Sequence, residues 1–199
     1  MTTINKNFEK ELLDEEPRMP LSMNPLKFAM WLFIVSIIMI FASLTSAYLV
    51  RRAEGNWLDF QMPNIFWVST VVIILSSVTM HWAYISAKKD NLTQISIAMV
   101  LTSLLGLTFL VLQWYGWKAL KLENIFLAGN PSGSFLYMLT GAHGVHIIAG
   151  VLFLLIILAK SLNHTIHSKN TLWIEMCTTF WHFLDLLWIY LFVFLLLNQ

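Results

Sequence analysis

The sequence predicts an all-α, polytopic membrane protein: a bundle of five transmembrane helices with the N-terminus inside and the C-terminus outside. Three observations predict it. Of 199 residues, 58% are hydrophobic and only 12% charged, whereas a soluble domain carries roughly 25% charge. The charges are also bunched, nine of the 23 falling in the first 27 residues. Finally, the apolar residues fall into five runs, each long enough to cross a hydrocarbon core that needs about 20 residues of helix. A water-soluble globule could not cover its surface with so few charges. Soluble enzymes, nucleic-acid binders and disordered chains are thereby excluded, and the net charge of +1 supplies no basic field for nucleic acid.

The first 24 residues form a polar, mixed-charge tail, expected to be poorly ordered or partner-bound; the membrane domain is residues 25–199. Its spans are 28–50, 64–87, 92–117, 134–159 and 174–197. Leu, Ile, Val, Phe and Met dominate all five without the two-residue alternation of a membrane barrel. Backbone groups in lipid must be satisfied within the segment, so each span is a helix. Arg51-Arg52 closes the first span, and Gly55, Asn56 and Pro63 precede the second. Lys88-Lys89-Asp90-Asn91 makes a tight link to the third, and the breaker cluster Gly129-Asn130-Pro131-Ser132-Gly133 precedes the fourth. Trp57, Trp67, Trp114, Trp117 and Trp173 lie near span ends, where indole favours the membrane–water interface. Cys177, the single cysteine, lies within a span and has no internal disulfide partner. The first apolar run is too long for a signal peptide and no cleavage site follows it, so none is expected.

Orientation follows from Lys and Arg. With the N-terminus inside, the inner side holds Lys6, Lys10, Arg18, Lys27, Lys88, Lys89, Lys160 and Lys169, and the outer side Arg51, Arg52, Lys118 and Lys121.

Ionisable groups inside a bilayer are costly and call for a reason. The fourth span holds His143 and His146; the fifth holds Glu175 near its start and His182 and Asp185 further in; the second holds His81, flanked by Met80 and Trp82 near its inner end. Each three-residue spacing puts its pair on one side of a helix. His146 and Asp185 lie at similar depths, about 20 and about 17 Å from the inner end. A polar cluster of His143, His146, His182, Asp185 and Glu175 between the last two helices is therefore expected. Gly141, Gly144 and Gly150 would let the neighbouring helix approach closely. Three readings stay open for the cluster: a metal or haem site, a proton relay, or interhelical hydrogen bonding. The first is short of ligands, with one deep carboxylate and no Glu-x-x-His pair. His81 reads as an interfacial residue.

The run Gly133-Ser134-Phe135, Leu139-Thr140-Gly141-Ala142-His143-Gly144-Val145-His146 with Gly150, and Glu175 seven residues before His182 in Phe180-Trp181-His182-Phe183-Leu184-Asp185-Leu186-Leu187-Trp188 resemble subunit III of the haem–copper oxidases, of both cytochrome c and quinol oxidase type. Leu32-Phe33-Ile34-Val35-Ser36, Leu75-Ser76-Ser77-Val78-Thr79 and Gln113 are weaker echoes. The resemblance implies a short, five-helix form that carries no haem, copper or other metal and no catalytic or cofactor-binding residue. It packs on oxidase subunit I, with subunit II, small subunits or a larger respiratory supercomplex nearby. It binds phospholipid and supports proton uptake and stability while its partners, which hold the haems and copper, reduce oxygen to water. In that setting the polar cluster is structural. A bacterial inner membrane is the expected location. Two positions where the family often has an acidic residue are Ile37 and Gly116 here, so a role carried by those carboxylates does not transfer. The competing functional class is a small transporter or proton channel built on the same His and Asp residues. It would need ionisable groups at several depths, and Ile189–Leu197 carries no charged residue.

Overall fold

A computed structural model describes residues 24–89, 91–162 and 172–198. The polar tail expected over residues 1–24 lies outside these except for Asn24. Among the described residues the elements are five α-helices: α1 Pro25–Ala53, α2 Ile65–Lys88, α3 Leu92–Leu122, α4 Pro131–Leu162 and α5 Leu172–Leu197. All five are long and apolar enough to cross a membrane. The spans predicted from hydropathy are recovered, but α1, α3 and α4 extend beyond them by up to five residues at an end. Hydropathy marks where lipid stops, whereas a helix stops where its backbone is capped.

The caps are local and specific. Pro25 opens α1, and Asn24 Oδ1 accepts from Leu26 N at 3.0 Å, which suits a proline in the first turn. Asn91 Oδ1 accepts from Gln94 N at 3.2 Å in the turn between α2 and α3. Asn130 does the same for α4, accepting from Ser132 N at 3.0 Å. Gly55 and Asn56 end α1 with positive φ, the conformation glycine and asparagine tolerate best. Gly133, expected to belong to the breaker cluster, is instead within the first turn of α4. A Cβ there would stand 2.8 Å from the Phe126 carbonyl oxygen, so the loop leading into α4 presses on a helix surface with no side chain.

Helix α2 forms a hairpin with α3, α3 packs on α4, and α5 lies against both α2 and α4; α1 is laid on α4 and α5. Of the five, α5 is the most buried and α1 the least. Both ends of α1 are fastened to α5. Lys27 Nζ donates to Glu175 Oε2 at 2.8 Å at their starts. At their ends, Tyr48 Oη donates to Asn198 O at 2.7 Å and Arg52 Nη1 to Asn198 Oδ1 at 3.1 Å. The two helices therefore run parallel, as a chain crossing the membrane an odd number of times requires. At the same end of the bundle, Asn130 Nδ2 donates to Asn56 O and Ser132 Oγ to Leu58 O, stitching the α1–α2 loop to the start of α4.

The core is built around large side chains: Trp181 and Trp188 from α5, Phe41 and Tyr48 from α1, Phe66 from α2 and Phe109 from α3. Trp181 sits in a slot between two glycines. A Cβ on Gly106 would be 2.8 Å from its Cη2, and one on Gly150 would be 3.2 Å from its Cζ3. Of the three glycines expected to permit close packing, Gly150 does so against α5. Gly141 and Gly144 do not: added Cβ atoms would meet Trp117 and Leu110 of α3 at ordinary contact distances of 3.7 and 3.9 Å. Gly116 has a definite job instead, because a Cβ there would be 3.0 Å from the Phe66 ring.

Candidate functional site

The polar groups of the spans are concentrated where α5 meets α2. Trp181 Nε1 donates to Ser76 Oγ at 3.1 Å, and Trp188 Nε1 donates to Thr70 Oγ1 at 3.0 Å. Beside the first of these, Ser77 Oγ and His182 Nδ1 share a hydrogen bond of 2.6 Å. The spacing explains the register: Trp181 and Trp188 are seven residues apart, two turns of one face, and Thr70 and Ser76 lie nearly two turns apart on an antiparallel helix. The same chemistry joins the other helices. Gln113 Nε2 donates to Ser69 Oγ at 3.0 Å, Thr79 and Thr102 share a bond of 2.8 Å, and Trp117 Nε1 donates to Thr140 Oγ1 at 3.1 Å. On α1 and α5, Tyr190 Oη donates to Thr45 Oγ1 at 3.2 Å.

The expected five-residue polar cluster divides into separate places. His143 is fully buried, with its ring centroid 5.2 Å from Trp188 and 5.8 Å from Phe109, and neither ring nitrogen has a hydrogen-bond partner. His146 turns toward α1: its Nδ1–H donates to Ala142 O at 2.7 Å and its ring lies 5.7 Å from Phe41. His182 is half-buried on the α2 side. Asp185 is 4% exposed, lies beside Ser77, and has no hydrogen bond to either oxygen. Glu175 is at the membrane face with Lys27. No hydrogen bond links α4 histidines to Asp185. Three residues on a helix are 300° of rotation, so His143 and His146 point about 60° apart. That is enough to send one toward α3 and α5 and the other toward α1.

His81, read as interfacial, is exposed, and its ring lies 6.0 Å from that of His182. Phe183 is half-buried against the core. Ser76, Ser77, Thr79 and Gln113, chosen only for their resemblance to a family, all prove to be interhelical hydrogen-bonding residues. Ser69, Thr70 and Thr102 were not singled out. For Ser69 a signal existed in the polar residues of α2, where it keeps helical spacing on one face with Ser76 and Thr79. Among the described residues no three His, Cys, Asp or Glu side chains are grouped as a metal site.

The family model described as cytochrome c oxidase subunit III matches residues 17–198. The chain is 31% identical over 180 residues to cytochrome c oxidase subunit 3 of Drosophila yakuba, covering 84% of this chain and 67% of that one. It is 34% identical over 180 residues to the protein of the same name from Petromyzon marinus, with the same coverage of each chain. It is also 31% identical over 175 residues to cytochrome bo(3) ubiquinol oxidase subunit 3 of Buchnera aphidicola subsp. Schizaphis graminum, covering 86% of this chain and 93% of the relative. With most of its length matched by the model and by relatives of both oxidase types, the chain belongs to the cytochrome c oxidase subunit III family of the haem–copper terminal oxidases.

Proposed function

We propose that the chain is the redox-inactive subunit III of a proton-translocating oxidase, in a bacterial inner membrane with its N-terminus inside, packed on subunit I beside subunit II. There it stabilises the complex and supports proton uptake while the partner subunits hold haem and copper. One observation carries this reading: among the described residues the buried hydroxyls of the spans and the indoles of Trp181 and Trp188 are spent on helix-to-helix hydrogen bonds or on carbonyls of their own helix, with His143 and Asp185 the buried exceptions. Ser36, Ser43 and Thr108, on exposed faces, donate to Phe33 O, Met39 O and Leu104 O. Such an economy builds a rigid scaffold and leaves few groups for a conduit, so the transporter or channel reading is not favoured. Support for bound phospholipid comes from an apolar groove of about 670 Å³ between α3 and α4. It is lined by Trp114, Trp117, Tyr137, Met138 and Gly141, with Lys121 at its edge. An acyl chain fits the lining, and the ammonium suits a headgroup phosphate.

The test is extraction in mild detergent through an affinity tag on this chain. Large haem-containing subunits are expected to come with it, and phospholipid to remain after washing. The chain stripped of its partners should show no Soret band and no stoichiometric metal. Haem on the purified chain, or a chain that extracts alone, would overturn the reading.

A further inference from the structure

We infer that the α2–α5 face is the surface by which the chain docks on its oxidase, against a membrane-spanning helix of the large haem-carrying subunit that presents a hydrogen-bond donor to His182. The inference rests on the reading of the chain as a docked subunit and adds the face and its chemistry.

Two apolar stripes flank the seam. Trp67, Val71, Ile74 and Val78 follow helical spacing along α2, and Leu186, Ile189 and Val193 along α5; all are exposed. Trp67 packs edge-on to Phe192 at 4.9 Å, so the stripes belong to one continuous face. At one end the seam holds polar groups: the half-buried Ser77–His182 pair and the exposed His81. His182 is ten residues into α5, about 15 Å along the helix, where water is scarce. Its Nδ1 is engaged by Ser77, and no hydrogen bond from the described residues reaches Nε2. Lipid chains cannot satisfy an imidazole nitrogen, and polar side chains at this depth find protein partners. On the other exposed faces Ser36, Ser43 and Thr108 already bond to carbonyls of their own helices. Among the described residues the comparable group is His146 between α1 and α4, tied to Ala142 O of its own helix and set against Phe41.

Asp185 indicates what the partner supplies. It lies beside Ser77 with both oxygens unpartnered. While the Ser77 hydroxyl donates to His182 Nδ1, it has no proton for the carboxylate. A donor from the partner to Nε2 selects the tautomer with hydrogen on Nδ1. Nδ1–H then donates to Ser77 Oγ, and the Ser77 hydroxyl is released to donate to Asp185. One hydrogen bond from outside the chain thus completes three groups within it, with no charge created. A basic or hydroxyl-bearing side chain, or an amide, meets this requirement; an acceptor does not.

The test uses the tagged chain assembled in its oxidase, with a photoreactive benzoylphenylalanine at Val78 or Leu186 on the proposed face and at Met39 or Val145 on the others. Irradiation is expected to join the chain to the haem-carrying subunit from Val78 and Leu186 and not from Met39 or Val145. His182→Phe should raise dissociation in mild detergent roughly ten-fold, the effect of one buried hydrogen bond, and His146→Phe should leave it unchanged. Adducts from Met39 or Val145 alone, lipid adducts alone from Val78 and Leu186, or unaltered dissociation in His182→Phe would overturn the docking face while haem still co-purifies. Loss of haem co-purification from the unsubstituted chain would instead overturn the underlying reading, and the docking face with it.

Discussion

Replacing Gly106 by alanine should destabilise the bundle through Trp181, and a double-mutant cycle with Trp181→Phe isolates that contact. A Cβ at Gly106 would stand 2.8 Å from Trp181 Cη2, 3.1 Å from Val151 Cγ2 and 3.2 Å from Trp181 Cζ2. Carbon atoms prefer about 3.5–4.0 Å, so the indole must withdraw by about 0.7 Å or more. Its freedom to move is small: its far edge lies against Gly150, where an added Cβ would stand 3.2 Å from Cζ3, and Nε1 is held by Ser76 at 3.1 Å. Overpacking of this kind costs about 1–3 kcal/mol. Against it, alanine in place of glycine gains about 1 kcal/mol of helix propensity, so the single substitution loses about 0–2 kcal/mol. Phenylalanine at 181 lacks the outer ring atoms and removes the clash, at the cost of the Ser76 bond. In the cycle the propensity gain and the lost hydrogen bond cancel, leaving a coupling of about 1–2 kcal/mol. The assay is unfolding of the detergent-solubilised chain by increasing SDS, followed by far-ultraviolet circular dichroism. A coupling below about 0.3 kcal/mol would show that the glycine slot does not constrain the indole, and the packing argument for α3, α4 and α5 would fail.

Gly116→Glu should prevent stable incorporation, because even a Cβ meets the Phe66 ring at 3.0 Å. Phe66→Ala should restore part of it, as measured by the chain retained with the haem subunits after extraction. Asp185→Asn should change the stability of the purified chain by no more than about 1 kcal/mol, since among the described residues no donor bonds either carboxyl oxygen; a loss above about 3 kcal/mol in the same SDS titration would reveal a direct bond from a histidine. Removing either charge of the Lys27–Glu175 pair, which is partly exposed, should cost no more than about 1 kcal/mol. Exchanging the two residues should recover most of that loss, and the pair's contribution should fall with added salt.

The five spans and their order were legible because lipid imposes length and hydrophobicity on every crossing. The rotation of each helix was not. These helices are apolar almost all round, so no polar face marks the outside as it would in water. Depth along the axis can be counted from residue numbers, and on depth alone His146 and Asp185 match. Yet His146 turns toward Phe41 on α1, while Asp185 turns toward Ser77 on α2. Glycine is ambiguous for a related reason: Gly150 and Gly144 look alike in sequence, but the neighbouring helix presents Leu184 and Trp181 to one and only the edge of Leu110 to the other.

Between helices in a membrane, apolar burial supplies little drive, since lipid is as apolar as leucine; close approach at small residues and a few polar bonds must do it. Trp181 does both at one point. Projecting from α5, it fills the space left by Gly106 on α3 and Gly150 on α4 and bonds Ser76 on α2. Four of the five helices are thereby held by one side chain, and Trp188, two turns on, repeats the bond to α2 through Thr70. The intervening spacing then sorts the run by face. Trp181, Asp185 and Trp188 fall on the buried side of α5, Leu186 on the opposite side, and His182 on the boundary beside Ser77. A sequence that must both lock a bundle and bond a neighbour at mid-membrane depth has few positions on which to do so. The Trp-His-Phe-Leu-Asp run places the locking indole and the boundary imidazole on adjacent residues, so a change of register that served one would displace the other. The proposed docking face is therefore bound to the scaffold by the same two turns of helix.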